Sequence, residues 1–458
     1  MNTRQESDSL GSIRIPEAVY YGAQTQRATG TTVTNQLRLP PVFFHNLALI
    51  KKYAAKVNNE LGLIPAGYAQ AIVRAADEAA AGALDDHFIV GVFQTGSGTS
   101  ANMNVNEVIA TRANEILTGK RKTKGDVHPN DHVNLCQSSN DVIPSTIHMT
   151  ALRSIKTDLL PALANLRKKL DEKSEAFADI EKTGRTHLQD AVTMTLGNEF
   201  SGYAAQITHS LQRLEGAQQR LSKLALGGTA VGTGLNAHPE FAARVIDLIS
   251  DETKIAFFEA SNHFEAQGAC DTAVETSGIL RTIAISITKI ANDIRLLASG
   301  PRCGIGEINL PAMVPGSSIM PGKVNPVIPE AVIQACAQVT GNDTAIMTGG
   351  QGGYFELNTM LPLVAHNLLQ SITLLTDAAN LMADKCVEGI TANRDRCTQN
   401  IEKNLGIVTG LVPYIGYDRA AALAFKALKT GQTIEDAALK ENIMEKNKLR
   451  QILYGKQN

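Results

Sequence analysis

No tryptophan occurs in the 458 residues, and aromatic side chains make up only 5% of them. Alanine, leucine and isoleucine must therefore fill the interior, a composition that favours closely packed helices. Charge of one sign is also lacking: the net charge is -2, with acidic and basic residues interspersed. That balance excludes a nucleic-acid-binding surface or a polybasic membrane patch. No apolar run reaches the length of a membrane span. The opening stretch MNTRQESDSLGSIRIP has no apolar stretch of the kind a secretory signal requires. The six cysteines (136, 270, 303, 336, 386 and 397) include no CxxC pair. Neither a disulfide framework nor a zinc site is expected, and a reducing, cytoplasmic setting fits best.

What is present is a globular composition, 43% hydrophobic and 19% charged, on a chain too long for a single core of ordinary size. Apolar residues recur at alternating spacings of three and four. Ile283, Ile287, Ile290, Ile294 and Leu297 form one such seam, and Leu368, Ile372, Leu375, Ala379 and Met382 another. Leu152, Ile155, Leu159, Leu163, Leu166 and Leu170 predict a third long helix, which Pro161 should kink or start. A fourth is predicted from about Phe200 to Leu224. Such seams belong to nearly parallel packed helices. The isoleucine seam is longer than one small domain needs, so subunit contacts are expected of it. The fold class is mainly α, in three domains: a mixed N-terminal domain (1–136), a central long-helix bundle (137–390) and a small helical C-terminal domain (391–458).

The polar, glycine-rich connections between these helices carry the chemistry. In PGSSIMPGKVNPVIPE (315–330), four prolines and two glycines argue against helix or strand. The polar groups there suit an anion, and Ile319 and Met320 are expected to anchor the loop inward. A phosphate loop is excluded, because five residues separate Gly316 from Gly322 and Val324 follows Lys323. GGTAVGTGLN (227–236) lacks a dinucleotide fingerprint. His128 and His132 have helical metal-pair spacing, but Pro129 lies between them and no acidic residue completes the motif. A hydrogen-bonding or structural role is expected for this pair, and no metal or other cofactor. What remains is an inventory of neutral donors with one cation: Ser97, Thr99, Ser138, Ser139, Asn140, Thr186, His187, Lys323 and Asn325. It suits a small dicarboxylate, whose charges need many hydrogen bonds.

These residues also carry a resemblance. GSSIMPGKVNP resembles the signature of the fumarase/aspartase superfamily. QTGSGT, HPNDHVN, QSSND, GRTHLQDA, GGTAVGTGLN and GPRCGIGE match class II fumarases in the same order. The similarity runs from LGSIRIPEAVYYGAQTQRA to IGYDRAAALA. It implies an all-helical homotetramer whose central helices form one multi-subunit bundle, with each active site shared between subunits. It also implies elimination of water from L-malate to fumarate through an aci-carboxylate intermediate, with no cofactor.

By the same resemblance Ser317 is the base, and His187 handles the departing hydroxyl with Glu330 as its charge partner. Lys323 and Asn325 bind a substrate carboxylate, with Ser97, Thr99, Ser138, Ser139, Asn140, Thr186 and Ser318 completing the grip. Gly316 and Gly322 would be hinges of a closing loop. His128, Asn130 and Asp131 resemble the family's secondary anion site. GTS at 98–100 and NPVIPE at 325–330 are more aspartase-like, so aspartate ammonia-lyase is the alternative. A purely structural member of the superfamily is disfavoured by the intact Ser317, Lys323, Asn325 and His187.

Overall fold

The computed structural model describes residues 2–455. In chain order it runs β1 (Thr3–Asp8), β2 (Gly11–Pro16), α1 (Ala23–Ala28), α2 (Pro41–Glu60), α3 (Ala66–Ala80), α4 (Thr99–Thr118) and α5 (Ser139–Ser154). Then come α6 (Leu160–Ala176), β3 (Glu181–Thr186), β4 (Gln189–Thr195), α7 (Leu196–Leu221), β5 (Lys223–Leu224), α8 (Phe241–Thr253), β6 (Phe258–Glu259) and α9 (His263–Gly268). The long α10 (Asp271–Leu297) leads through β7 (Ile308–Asn309) to α11 (Val327–Gly350), β8 (Gly353–Tyr354), β9 (Leu357–Asn358) and α12 (Leu361–Lys385). The chain closes with β10 (Thr391–Ala392), α13 (Arg394–Lys403), α14 (Val412–Ile415), α15 (Tyr417–Thr430), α16 (Ile434–Lys440) and α17 (Lys446–Tyr454). Among the described residues the strands form two-stranded ribbons. The fold is mainly α.

Contacts group the chain into two compact units. One contains residues 1–161, 210–285 and 335–377; the other contains 162–209, 286–334 and 378–458. In the first, α2 packs against α3, α5 and α8, and α4 packs against α1 and α3. In the second, α13 lies on β3, and the turn at 405–411 lies on β4. The helices after α13 close over their own apolar cluster, which includes Ile407, Leu411, Leu423, Ile434 and Leu449.

The predicted helical seams are present, with one correction. Ile283, Ile287, Ile290 and Ile294 are all buried within the single chain, as are Leu368, Ile372, Leu375 and Met382. The isoleucine seam is therefore core and not a subunit interface. Burying an isoleucine stabilises by roughly 1.5–3 kcal/mol, so the first use of this stripe is folding the chain itself. The third predicted helix is two helices, α5 and α6, joined by a wider π-helical turn at Ile155–Leu159. Pro161 sits just beyond it, where the looser turn accommodates the missing N–H. The proline-rich stretch is likewise only partly a loop. α11 starts at Val327, so Pro329 and Glu330 lie in its first turn, where a proline costs no intrahelical bond.

Candidate active site

The predicted site residues fall into two sets, one in each unit. The first lies at the N-termini of α4 and α5. Ser97 Oγ and Thr99 Oγ1 are 2.8 Å apart at the start of α4. Gly96 packs so closely against the chain at 359 that a Cβ would stand 1.8 Å from the Thr359 carbonyl oxygen, and it returns a carbonyl to the N–H of Leu361 at 3.0 Å. Only glycine fits that approach.

At α5, Ser138 is the N-cap: its Oγ accepts the N–H of Asn140 at 3.2 Å, and its own N–H goes to Asp141 Oδ1 at 2.9 Å. Ser139 is buried, and its Oγ accepts from Asn102 Nδ2 at 3.1 Å. Asn140 Nδ2 donates to the carbonyl of Ala230 at 2.8 Å, leaving its oxygen uncommitted. Three consecutive polar residues thus crown a helix N-terminus, whose free N–H groups and dipole favour an anion.

Behind this turn lies a buried polar network that the sequence reading missed. Asp141, fully buried, also accepts the N–H groups of Gly227 (3.1 Å) and Thr229 (3.0 Å). GGTAVGT is therefore the abutment of the serine turn. Burial pushes the Asp141 carboxyl up to about 6, against the lowering effect of its backbone donors. Lys51 of α2 is also fully buried and donates to Asn134 Oδ1 (3.0 Å) and Gln137 Oε1 (2.9 Å). Asn102 and Asn106 share that same Asn134 oxygen, each at 3.1 Å. Burial pulls the Lys51 ammonium down to about 7. The run ANMNVNE held the available signal: three asparagines inside one helix are costly unless each has a partner.

His128 behaves as the spacing argument expected. Its Nδ1 accepts the N–H groups of Asn130 and Asp131, both at 3.2 Å, and its own N–H donates to His132 Nδ1 at 2.8 Å. Both imidazoles thus spend Nδ1 on backbone hydrogen bonds. Burial holds His128 below the usual histidine range, with Asp131 opposing.

In the second unit, β3 and β4 form a hairpin in which Thr186 faces Gln189. The two residues between them, His187 (φ 56°) and Leu188 (φ 58°), are both left-handed, the conformation that a tight two-residue turn demands. Thr186 and His187 are exposed at its tip. Arg185, one step down β3, is gripped in a bidentate pair by Glu307 at 2.7 and 3.0 Å.

The signature loop folds back on itself. Ser317 Oγ accepts the N–H groups of Ile319 (3.2 Å) and Met320 (2.8 Å). Asn325 Nδ2 donates to the Gly316 carbonyl. A Cβ on Gly316 would stand 1.9 Å from the Lys323 carbonyl oxygen, so this glycine is a point of close approach and not a free hinge. Gly322, at φ 81° with open space around it, keeps the freedom expected of one. Ser318 and Lys323 are exposed.

One expectation fails in this loop. Ile319 is 83% exposed and Met320 50%, so neither side chain anchors it inward; their backbone N–H groups close a local turn onto Ser317 within the loop. Glu330 lies 3.8 Å from Arg295. Among the described residues of the single chain no hydrogen bond or ion pair joins it to His187.

Comparison with known proteins places this geometry. Residues 11–341 match the Lyase family, and 407–455 match the Fumarase C C-terminus family. The fumarate hydratase class II of Nitrosomonas europaea is 53% identical over 437 residues, covering 95% of each chain. That of Yersinia pestis is also 53% identical, covering 95% of this chain and 94% of its own. Among solved structures, recombinant class II fumarase from Schistosoma mansoni superposes with a TM-score of 0.96 at 39% identity, covering 99% of this chain and 98% of its own. A fumarate lyase:delta crystallin from Brucella melitensis, solved bound to cobalt, gives 0.93 at 44%, with the same coverage. With motifs in the same order, near-complete coverage and a shared fold, the chain belongs to the class II fumarase family.

Proposed function

We propose that this chain catalyses the reversible dehydration of L-malate to fumarate. The observation that carries the reading is Ser317 Oγ accepting two backbone N–H groups. A serine is a weak base, but as an alkoxide it would be stabilised by those same two donors, with Lys323 in the same loop adding positive charge. Ser317 takes a proton from the carbon next to one carboxylate. The electron pair moves into that carboxylate, giving the doubly negative aci-carboxylate. The carbon–oxygen bond on the neighbouring carbon then breaks, and hydroxide leaves as water after receiving a proton through His187.

Lys323 and Asn325 hold the carboxylate that takes up the second charge. Ser138, Ser139 and Asn140, at the positive end of α5, hold the substrate with Ser97, Thr99, Thr186 and Ser318. Ser138, Ser139, Asn140, Ser317 and Asn325 are held by hydrogen bonds before the charge develops, which lowers the reorganisation required in the transition state. His128, Asn130 and Asp131 form a secondary anion site. No step requires a cofactor.

The assembly we propose is a homotetramer whose active sites draw loops from several copies. The exposed residues of α11 include Ala331, Gln334, Ala337, Gln338, Gly341 and Thr344. Small side chains along one long helix permit close approach of a neighbouring helix, and closed symmetry makes the same face available on every copy. In such an assembly Glu330 meets the His187 of another copy. The division into domains 1–136, 137–390 and 391–458, and a cytoplasmic setting, complete the proposal. Six free cysteines support that setting, and no described helix is long and apolar enough to cross a membrane.

The relatives favour hydration over deamination. The test offers purified protein L-malate and L-aspartate in parallel and follows fumarate in the ultraviolet. Fumarate forms far faster from malate; faster release from aspartate would move the function to ammonia-lyase chemistry.

A further inference from the structure

The hairpin that carries His187 has little of its own to hold it. Thr186 and His187 are exposed, and so is Leu188. Two left-handed residues at a tip do not by themselves fix where an imidazole points. What fixes the base of the hairpin is a buried carboxylate, that of Glu307, which has no accessible surface.

Four groups converge on Glu307. Arg185 Nη2 reaches Oε1 at 2.7 Å, and Arg185 Nη1 reaches Oε2 at 3.0 Å. Asn400 Nδ2, from α13, donates to Oε1 at 3.0 Å. Lys182 Nζ, on the same strand as Arg185, lies 3.4 Å from Oε2 and 2.6 Å from Glu199 Oε2. Burial alone would raise the Glu307 carboxyl, yet Arg185, Lys182 and Asn400 hold it below the usual carboxylate range. It is ionised and fully partnered, a geometry that tolerates little displacement. The Glu307 main chain is held as well: its carbonyl accepts the N–H of Asn393, just before α13, at 2.8 Å.

A second tie reaches the other strand. Asn404 Nδ2 donates to the Ala191 carbonyl on β4 at 2.6 Å and lies 3.4 Å from Thr183 Oγ1 on β3. Its Oδ1 meanwhile accepts the N–H of Gly406 at 2.7 Å, capping the following turn. Both strands of the hairpin are thus bonded to the start of the C-terminal helices.

We infer that Glu307 and Asn404 are positioning residues for His187, and that α13 and the turn after it serve the reaction by holding the catalytic hairpin. The role of Glu307 explains why a carboxylate belongs in GPRCGIGE, a motif to which the mechanism assigns no step. The inference rests on the role proposed above for His187. It adds that this role depends on groups that never touch substrate.

The test uses the full-length assembled protein and three variants. Glu307→Gln keeps the shape but removes the charge that Arg185 and Lys182 share. Asn400→Ala removes one partner of Glu307 at a half-buried position. Asn404→Asp keeps the acceptor for Gly406 but sets an oxygen against the Ala191 carbonyl. Each is expected to lower kcat for malate roughly tenfold to a hundredfold, as small misplacements of a reacting group do. KM should change less than kcat, because only Thr186 among the proposed binding groups lies on the hairpin and the turn of α5 is untouched. Hydrogen exchange of the peptide covering 183–192 should quicken in each variant.

Variants whose kcat per folded tetramer stays within about twofold of wild type, with only the melting temperature lowered, would overturn the inference. If Glu307→Gln does not fold, Asn400→Ala decides by the same criteria. The exchange readout separates this inference from the functional reading. A wild-type protein inactive on malate would defeat the function, whereas unchanged exchange at 183–192 in all variants would defeat the positioning role alone.

Discussion

The Asp141 carboxylate in the first turn of α5 accepts the N–H of Thr229 at 3.0 Å and that of Gly227 at 3.1 Å, clamping the serine turn onto a second loop. Asp141→Ala leaves these donors and that of Ser138 without a partner in a buried place. Each unsatisfied buried donor costs about 1–3 kcal/mol, so a lowered melting temperature is expected. Affinity for an unreactive dicarboxylate such as succinate should fall with it. Calorimetric titration with unchanged affinity would show that the clamp does not shape the site.

The loop chemistry predicts a split between two neighbouring residues. Ser317→Ala removes the proposed base but leaves Lys323 and Asn325, so turnover should fall by about a hundredfold or more while dicarboxylate affinity is kept. Lys323→Ala should damage affinity and turnover together, because in the proposed mechanism its charge serves both the bound carboxylate and the developing dianion. Near-normal turnover by Ser317→Ala would end the base assignment.

Burial of the isoleucine seam separates folding from assembly. Ile287→Asp places a carboxylate in a position only 1% exposed. It should cost several kcal/mol and unfold the chain, read as loss of the helical circular dichroism signal. Ala337→Arg, on the exposed face of α11, should leave that signal intact and dissociate the proposed tetramer in sedimentation. A folded, dissociated Ile287→Asp protein would return the seam to the interface.

Asp141 and Lys51, two buried ionisable groups of the first unit, titrate in opposite senses. Burial raises Asp141 from 3.8 to about 6, so between those values the folded chain holds a proton that the unfolded chain has released. Its contribution favours the fold at the acid end and is lost as the pH rises through 6. Burial lowers Lys51 from 10.5 to about 7, so between those values the unfolded chain holds the extra proton. Stability from this group therefore rises with pH across that window. In urea unfolding, wild type should gain on Lys51→Met between pH 7 and about pH 9.5. A difference that stays flat would show that Lys51 keeps its proton when folded.

Legibility in the sequence followed the range of the interaction. The seams at 283–297 and 368–382 were readable because a spacing of three and four is a local property of one helix. The family motifs around Ser317, Lys323, Asn325 and His187 were readable because each is contiguous. The partners of those motifs were not. Lys51 reaches Gln137 across 86 positions, and Arg185 reaches Glu307 across 122. Nothing in either neighbourhood marks the distant group. Ile319 and Met320 misled for a related reason: hydrophobicity predicts burial on average, whereas both side chains are exposed here. Pro329 misled because proline breaks a helix interior but not its first turn.

The tie between Asn404 and Ala191 spans 213 positions. During synthesis the hairpin is therefore complete in sequence long before the residues that hold it have been made. Closing so long a loop is slow compared with forming the local helices. The hairpin is thus expected among the last parts to reach its final place, whatever its position in the chain. Refolding from denaturant should accordingly show helix content recovering ahead of malate turnover, with the lag set by docking of α13 and the turn at 405–411.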